Sequence, residues 1–306
     1  MPVTKVGAVR PPALTLPTAP KPKDEDFSHY TTLLYGREKI GKTTVAASWP
    51  EAIFFCCEPG TKGLEVYELN HEKGGVKTWD IFREGVALLE KNPGRFQSVI
   101  VDTVDRAYDM CLDWVCKTRN IEYPGVDALG REDYGKSWRA VKQEFVSCIH
   151  RISQSGRGIL FISHAKESDV ESASGQKYTI IHPTYSGQAK NVVEALVDFI
   201  FYAEYIKAPD GSTQRILVCR GDECVRAGAR QGIVADFPAF LPMKKVDGYG
   251  VILRAFQGTE PGLDPKTLLP ANNTTSVGKN LINRSKTAAL KAATALPQVR
   301  TIRRVG

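Results

Sequence analysis

Near its N-terminus the chain contains the run Gly36-Arg37-Glu38-Lys39-Ile40-Gly41-Lys42-Thr43, which fits the pattern G-x-x-x-x-G-K-[ST]. The residues before it, Thr31 to Tyr35, are β-branched or apolar and predict a strand that enters the loop. Residues Thr43 to Trp49 predict the first turns of a helix that leaves it. A strand before and a helix after are the context in which such a loop wraps phosphates.

This loop predicts a site for a nucleoside triphosphate and Mg²⁺. Glycine lets the backbone turn tightly, so that successive N–H groups point at phosphate oxygens, and the helix N-terminus adds partial positive charge. Lys42 would reach the β and γ phosphates, and Thr43 would hold the Mg²⁺ ion. No N-K-x-D or T-K-x-D motif for guanine occurs, which favours ATP. The expected ATP-binding residues are Gly36, Arg37, Glu38, Lys39, Ile40, Gly41, Lys42, Thr43 and Thr44.

Composition limits the classes of protein to which the chain can belong. Its 306 residues are 42% hydrophobic, which suffices for one large core or for one core with a small appendage. No run of 18 apolar residues occurs, and the N-terminus lacks the apolar segment of a secretion signal. The seven cysteines are irregularly spaced, with no C-x-x-C pair. We therefore expect a cytoplasmic protein with reduced thiols, no zinc and no membrane contact.

The sequence divides into three segments. Residues 1–27 are rich in proline and predict a flexible lead, because a helix or sheet does not tolerate that density. Residues 28–270 predict one globular ATPase domain. Residues 271–306 predict a basic, largely flexible tail, with a weak helical stretch from Leu281 to Leu296. The net charge of +7 lies in this tail, which suits either a polyanion such as DNA or RNA or a solubilising role without a fixed partner.

Strands and helices alternate within the central segment. Residues 52–57, 98–102 and 158–163 are continuous apolar runs, as in strands that are covered on both faces. Ile81 to Lys91 and the apolar stripe from Trp138 to Ile152 predict helices. Residues 197–206 and 214–219 flank the turn signal Pro209-Asp210-Gly211 and predict a hairpin. The pattern predicts an α/β fold, with a mostly parallel sheet between helix layers and a C-terminal antiparallel hairpin.

Three polar residues follow predicted strands, where ligands of parallel sheets bind. Asp102 ends an apolar strand and predicts a second Mg²⁺ ligand; the alternative is a cap of the next helix. Since Thr103 and not a glutamate follows Asp102, Glu58 is the better candidate for the base that orients the attacking water. His164 could contact the γ-phosphate, or be an ordinary hydrogen-bonded strand-end histidine.

The segment from Ala165 to Ala189 is long for a loop in a compact core. It combines lysines with aromatic residues, a mixture that suits a single nucleic-acid strand, because phosphates pair with cations and bases stack on rings. The alternative is a solvated β-hairpin without a ligand. The candidate nucleic-acid residues are Lys166, Lys177, Tyr178, Tyr185 and Lys190.

Four further basic residues could reach the nucleotide of a neighbouring subunit. They are Arg226, Arg230, Lys244 and Lys245. Surface charge without this role is the favoured interpretation.

On these residues the chain resembles the RecA-type ATPases, and most of all the phage-encoded, RecA-like ATP-binding proteins that anneal single strands. The resemblance covers residues 28–250. The matched stretches are Gly36–Thr44, Glu58 after its strand, Val99–Thr103, Ile159–His164 and Gly187–Tyr205. The phosphate-binding part of the match is specific, and the DNA-binding part is not.

The resemblance implies roles that spacing alone does not. Glu58 takes the position of the catalytic carboxylate, His164 that of the γ-phosphate sensor, and the residues after His164 that of the single-stranded DNA contact. Two features depart from the family. The sensor is Ser163-His164 in place of an Asn-Gln pair, and only the proline-rich lead precedes Thr31 where a polymerisation module is expected. A core that anneals strands fits these departures better than one that exchanges strands.

The sequence therefore predicts an ATPase, with Lys42, Glu58 and His164 as catalytic residues, that acts on single-stranded DNA in phage recombination or replication. The expected location is the host cytoplasm. The expected partners are single-stranded DNA, a single-strand-binding protein and further copies of the chain. Two alternatives stay open. One is a non-catalytic, nucleotide-gated adaptor or helicase loader. The other is a small-molecule kinase, whose lid arginines could only be Arg226 and Arg230.

Overall fold

The strand that enters the glycine-rich loop lies inside a large sheet. The computed structural model describes residues 16–172, 175, 177–185, 187–207, 210–230, 237–264 and 268–270. The strands are β1 (Thr31–Gly36), β2 (Ala52–Cys56), β3 (Tyr67–Glu68), β4 (Ser98–Asp102), β5 (Gly158–Glu171), β6 (Lys177–Pro183), β7 (Phe199–Lys207), β8 (Thr213–Val218), β9 (Gly228–Ala229), β10 (Phe240–Pro242) and β11 (Leu269–Pro270). The helices are α1 (Lys42–Ala46), α2 (Trp79–Lys91), α3 (Val104–Arg119), α4 (Lys136–Gln154), α5 (Gln188–Leu196) and α6 (Gly248–Phe256), with short 3-10 turns at Phe27–His29 and His71–Lys73.

The sheet is parallel through its centre and antiparallel at one side. Its order is β10-β8-β7-β1-β5-β4-β2-β3, in which β7, β1, β5, β4, β2 and β3 are paired in parallel. Strands β7 and β8 form the antiparallel hairpin, and β10 adds to β8. The register places Gly36 beside His164 and Cys56 beside Asp102. The predicted α/β fold, with its mostly parallel sheet and its antiparallel hairpin, is confirmed.

Each face of the sheet is covered by an apolar layer. On one face Leu33 and Phe55 pack in a cluster with residues of α2, α3, α4 and α5. On the other face their chain neighbours Leu34 and Phe54 pack with residues of α1 and α6. Successive strand residues point to opposite faces, so a strand buried on both faces must be apolar throughout. This arrangement explains the continuous apolar runs, because nearly every residue of the central strands belongs to a core.

The helix boundaries follow from local caps and aromatic packing. The side chain of Thr78 accepts a hydrogen bond from the Ile81 N–H, so α2 begins at Trp79, two residues before the predicted start. The Trp79 ring stacks on Phe82 and on Phe145 of α4, with ring centroids 4.5 and 5.7 Å apart. The predicted stripe of α4 is buried at Val141, Phe145, Ile149 and Ile152. These aromatic contacts join α2 and α4 into one layer.

The residues after His164 form a β-hairpin and not a long loop. Strand β5 continues beyond its partners β1 and β4 as far as Glu171 and pairs antiparallel with β6. Both backbone groups of Ile181 in β6 are bound from outside the hairpin. The Cys224 O accepts from the Ile181 N–H at 2.7 Å, and the Ile181 O accepts from the Arg226 N–H at 3.1 Å. The hairpin is therefore braced at Ile181 against the segment before β9.

The predicted segment boundaries are only partly within the described residues. Phe27 is 1% exposed and packs on Tyr30, Phe199 and Phe256, so it belongs to the folded part of the chain. Residues 1–15 and the predicted tail, with its helical stretch 281–296, lie outside the described residues. Among the helices that are described, none is both long enough and apolar enough to cross a lipid bilayer.

A substitution at Gly158 tests how the start of β5 packs against residues 27–29. A Cβ atom there would lie 1.6 Å from the Ser28 O, a backbone atom that cannot turn away. We expect Gly158→Ala to lower the free energy of unfolding by about 3 kcal/mol, because either β5 or residues 27–29 must shift. Urea denaturation of the full chain measures this change. Gly63→Ala is the control, since a Cβ on Gly63 meets nothing within 4 Å. Equal stability of the two variants would contradict this packing.

Candidate active site

The glycine-rich loop closes between β1 and α1 as the motif predicts. Gly41 is the N-cap of α1, with a φ of 104°, a left-handed conformation that glycine adopts without strain. Lys39 also has a positive φ, of 60°, while its side chain is exposed. The loop therefore turns sharply twice before the helix begins. Such turns leave consecutive N–H groups able to converge on an anion.

Lys42 lies under this loop. Its side chain is 6% exposed, and its Nζ donates to the Gly36 O and the Arg37 O, each at 2.9 Å. Burial lowers the pKa of Lys42, although the nearby carboxylates Asp102, Asp105, Glu38 and Glu58 act in the opposite direction. A buried cation that is bound to neutral carbonyl groups would gain from a phosphate in their place.

Thr43 and Asp102 meet beside the loop. The Thr43 Oγ1 donates to the Asp102 Oδ2 at 2.8 Å, and Asp102 is 5% exposed. Burial raises the pKa of Asp102, while the bond from Thr43 and the charge of Lys42 lower it. A Cβ on Gly60 would lie 3.6 Å from both oxygens, so the bare glycine leaves space beside them. A hydroxyl and a carboxylate with open space beside them fit a hard cation such as Mg²⁺.

Glu58 and His164 are brought together at the same edge of the sheet. The His164 Nε2 lies 3.3 Å from the Glu58 Oε2, and the Thr103 Oγ1 donates to the Glu58 Oε1 at 2.8 Å. Both carboxylate oxygens thus have partners from strand ends. The Glu58 side chain remains 41% exposed, so solvent reaches a carboxylate whose orientation is fixed. Such a group can accept a proton from a bound water molecule or align that molecule.

Asp105 belongs to the site, although its sequence position did not indicate it. Its Oδ1 accepts from the Ser163 Oγ at 3.1 Å and from the Thr184 Oγ1 at 2.7 Å, and the Thr184 N–H donates to the His164 O. Its Oδ2 is buried and has no hydrogen-bond partner among the described residues. Burial raises the pKa of Asp105, and the bonds from Thr184 and Ser163 oppose this rise. Asp105 therefore ties α3 to β5 and to the end of the hairpin.

Arg215 is a second residue that sequence reasoning missed. It lies on β8, and its Nη1 donates to the Ile40 O of the loop at 3.1 Å. The two residues are 175 positions apart in the chain. No local sequence pattern could have indicated this contact, which depends on the pairing of β8 with β7.

The nucleic-acid candidates lie on the hairpin, just after it and on α5. Burial is the main cause that lowers the pKa of His182, and the positive charges of Lys166 and Lys190 lower it further, so both lysines lie close to His182. Lys177 is exposed, and Tyr178 is half-buried. Lys166 is the cross-strand partner of His182, Lys190 of α5 lies near the same histidine, and Lys177 lies farther along β6.

Tyr185 does not belong with the expected nucleic-acid-binding residues, and this prediction is corrected. Its side chain is 5% exposed and packs in the core cluster with Val192 and Val193. A buried ring offers no face on which a base could stack. The aromatic pattern around Tyr185 therefore reflects packing of the hairpin exit against α5.

The arginines considered for a neighbouring nucleotide lie elsewhere. Arg226 forms an ion pair with Glu194, and the Arg230 Nε lies 3.2 Å from Asp198. Strand β9 pairs with the first residues of β7, at the opposite end of the sheet from Gly36. Lys244 and Lys245 are exposed. This placement agrees with the interpretation of these four residues as surface charge.

Fold and site together define a P-loop NTPase with a mostly parallel sheet between two helix layers. A family profile described as AAA domain (AAA_24) matches residues 28–231, and the chain belongs to this family of AAA-type P-loop ATPase domains. The SPbeta prophage-derived uncharacterized protein YorG of Bacillus subtilis (strain 168) is 24% identical over 140 residues, which cover 44% of this chain and 40% of YorG. The chain thus matches less than half of that relative's length.

One solved structure that is similar is the KaiC-like protein PH0186 from Pyrococcus horikoshii OT3. It is 11% identical, with a TM-score of 0.37, and the match covers 66% of this chain and 83% of that one.

Asp105 gives the site a defined pH dependence. Since the pKa of Asp105 is raised in the folded chain, its contribution to stability is full below the ordinary value of 3.8 and is lost as the pH rises through the folded value. Asp105→Asn removes the charge and keeps an oxygen for Ser163 and Thr184. We therefore expect the variant to gain stability over the parent as the pH rises from 4 to 7. Urea denaturation across this range measures the difference.

Asp113→Asn is the matched control, because it removes an exposed carboxylate from the same helix. If the parent chain instead becomes more stable than the Asp105→Asn variant as the pH rises, the fold stabilises the charge of Asp105 and the prediction is wrong.

Proposed function

We propose that this chain is a Mg²⁺-dependent ATPase that acts on single-stranded DNA and anneals strands during phage recombination or replication. The membership in the AAA-type P-loop ATPases supports nucleotide binding and hydrolysis. Action on DNA is the further part of the proposal. The observation that carries it is the continuity of β5, which contacts Glu58 through His164 and then forms the hairpin that bears Lys166 and Lys177.

The residues of the loop have defined tasks in nucleotide binding. Lys42 exchanges its two carbonyl partners for phosphate oxygens, and the N–H groups of the loop and of the first turn of α1 bind the same phosphates. Thr43 and Asp102 would hold the Mg²⁺ ion, which, when bound, neutralises negative charge on the phosphates. The chain thus gathers positive charge where the transition state needs it.

Glu58 has the task of orienting the attacking water. Its two oxygens are positioned by Thr103 and His164, so the carboxylate does not rotate freely. His164 lies between Glu58 and the hairpin and would detect the loss of the γ-phosphate. We infer that this loss changes the Glu58–His164 contact and switches the hairpin between holding and releasing DNA.

The hairpin and α5 offer cations for the DNA backbone. Lys166 of β5 and Lys190 of α5 lie close to His182, and exposed Lys177 lies farther along β6. Half-buried Tyr178 is the remaining candidate for stacking on a base. The prophage origin in the name of the relative YorG supports a phage context. In that context the proposed location is the host cytoplasm, with a single-strand-binding protein and further copies of the chain as partners.

The described residues offer little support for a kinase. Its acceptor lid would need free arginines at Arg226 and Arg230, and both are engaged by carboxylates, Arg226 by Glu194 and Arg230 by Asp198. The nucleotide-gated adaptor or helicase loader differs from our proposal in one respect only, because it would bind ATP without needing hydrolysis.

Glu58→Gln separates an ATPase from an adaptor. We expect the variant to bind ATP like the parent and to hydrolyse it about 100-fold more slowly, because an amide cannot accept the proton of water. Strand annealing driven by hydrolysis should then stall after one round. A phosphate-release assay and a fluorescent annealing assay measure the two effects. Glu65→Gln, an exposed glutamate outside the site, is the control. Full annealing without hydrolysis would favour the adaptor.

Lys166 of the hairpin and Lys190 of α5 test the DNA site. We expect single-stranded DNA to stimulate the parent ATPase, with a stimulation that falls steeply between low and high salt. The double variant Lys166→Gln/Lys190→Gln should lower the slope of log affinity against log salt by about 0.7 for each phosphate that it no longer neutralises. Fluorescence anisotropy with a labelled oligonucleotide measures this slope. The control is the double variant Lys91→Gln/Lys142→Gln, which removes two exposed helix lysines and so makes the same change in charge.

A chain that ends at Ala271 separates the hairpin from the basic tail. If only this truncation lowers the slope, the tail and not the hairpin contacts the phosphates. DNA affinity that is the same with ATP, with ADP and without nucleotide would contradict the proposed switch.

A further inference from the structure

Arg215 reaches the glycine-rich loop from a distant strand of the same chain. Its Nη1 donates to the Ile40 O at 3.1 Å. A Cβ on Gly41 would lie 2.7 Å from the same nitrogen, so the guanidinium rests directly against the Gly41 backbone. Arg215 thus covers the peptide unit that joins Ile40 to Gly41, one residue before Lys42.

The charge of Arg215 is directed at this peptide unit and not at a carboxylate. Within the described part of the chain, the bond to the Ile40 O is its hydrogen bond, and no ion pair accompanies it. Half-buried Arg254 is paired with Asp247, whereas buried Arg157 bonds to backbone carbonyls as Arg215 does. A carbonyl offsets the cost of burying a cation less well than a carboxylate does.

The geometry of the Ile40–Gly41 peptide unit indicates what the contact with Arg215 does. The Ile40–Gly41 bond is trans, since Asp102–Thr103 is the cis bond among the described residues. In a trans unit the C=O and the N–H point in opposite directions. A guanidinium that holds the Ile40 oxygen therefore directs the Gly41 N–H away from Arg215, and its charge polarises that N–H. The N–H groups of this loop are the donors for the phosphates.

We propose that Arg215 is a positioning residue for nucleotide binding, which orients the Ile40–Gly41 peptide unit so that the Gly41 N–H faces the phosphates. It acts through the backbone of the loop and does not touch the nucleotide. Gly41 is left-handed and lies against the guanidinium, so a side chain at this position would displace Arg215 from the loop. This inference rests on the ATP binding of the proposed function and not on its DNA part.

The test compares Arg215→Met, which removes the cation, with Arg215→Lys, which keeps it on a different donor. We expect Arg215→Met to weaken ATP and ADP binding by the same factor, about tenfold, because a loop N–H serves phosphates present in both. The KM for ATP should rise with kcat unchanged, since ground state and transition state lose the same interaction. Arg215→Lys should recover part of the affinity. Calorimetry with Mg²⁺ and steady-state kinetics on the full chain give these values.

Gln214→Ala is the control for damage to the strand, because Gln214 is the exposed neighbour on β8. Equal losses in Gln214→Ala and Arg215→Met would assign the effect to the strand and overturn the proposal. A loss for ATP alone, with a lower kcat, would indicate direct contact with the γ-phosphate and also overturn it. So would unchanged affinity in both Arg215 variants.

The two proposals fail in different ways. A parent chain that binds ATP but ignores DNA contradicts the proposed function and leaves the Arg215 comparison intact. A parent that is stimulated by DNA, with Arg215 variants that bind ATP normally, contradicts only the role of Arg215.

Discussion

Parallel pairing of β5 with β1 on one side and β4 on the other is the constraint on which the site depends. In this register Gly36 lies beside His164, and Asp102 lies beside Ile162. The phosphate loop, the carboxylate of Asp102 and the Glu58–His164 pair therefore meet at one edge of the sheet without any long connection. A shift of one residue would turn every side chain of β5 to the other face. Both apolar layers oppose such a shift, since Leu160 and Phe161 pack in different cores.

Burial of apolar side chains in both layers offsets the free energy that is needed to bury the charged residues of the site. Burial disfavours the charged forms of Lys42, Asp102 and Asp105, which lie within one small region. Hydrogen bonds from Thr43, Ser163 and Thr184 recover only part of this cost. The chain accepts an unfavourable arrangement of charge because a bound polyanion and cation would complete it. Stability and ligand binding are thus in competition at this edge of the sheet.

The alternation of strands and helices in the sequence was sufficient to predict the confirmed fold. Short patterns also placed the loop, Asp102, Glu58 and His164 at the ends of apolar runs, and the structure brings these residues together, while their chemical roles stay predictions. Asp105 looked like any acid in a first helical turn, and Arg215 reaches the loop only through strand pairing across the chain. Tyr185 was misjudged because lysines interleaved with aromatic residues suggested a stacking surface. Its ring instead packs into the core after β6.

The brace at Ile181 has a mechanical consequence for the hairpin. Strand pairing sets Ile181 opposite Glu167, three residues past His164, and main-chain bonds to Cys224 and Arg226 fix it there. Because these bonds lie so close to His164, the hairpin cannot move independently of the segment around Cys224. A displacement that begins at His164 would therefore move the hairpin and that segment together, as one unit.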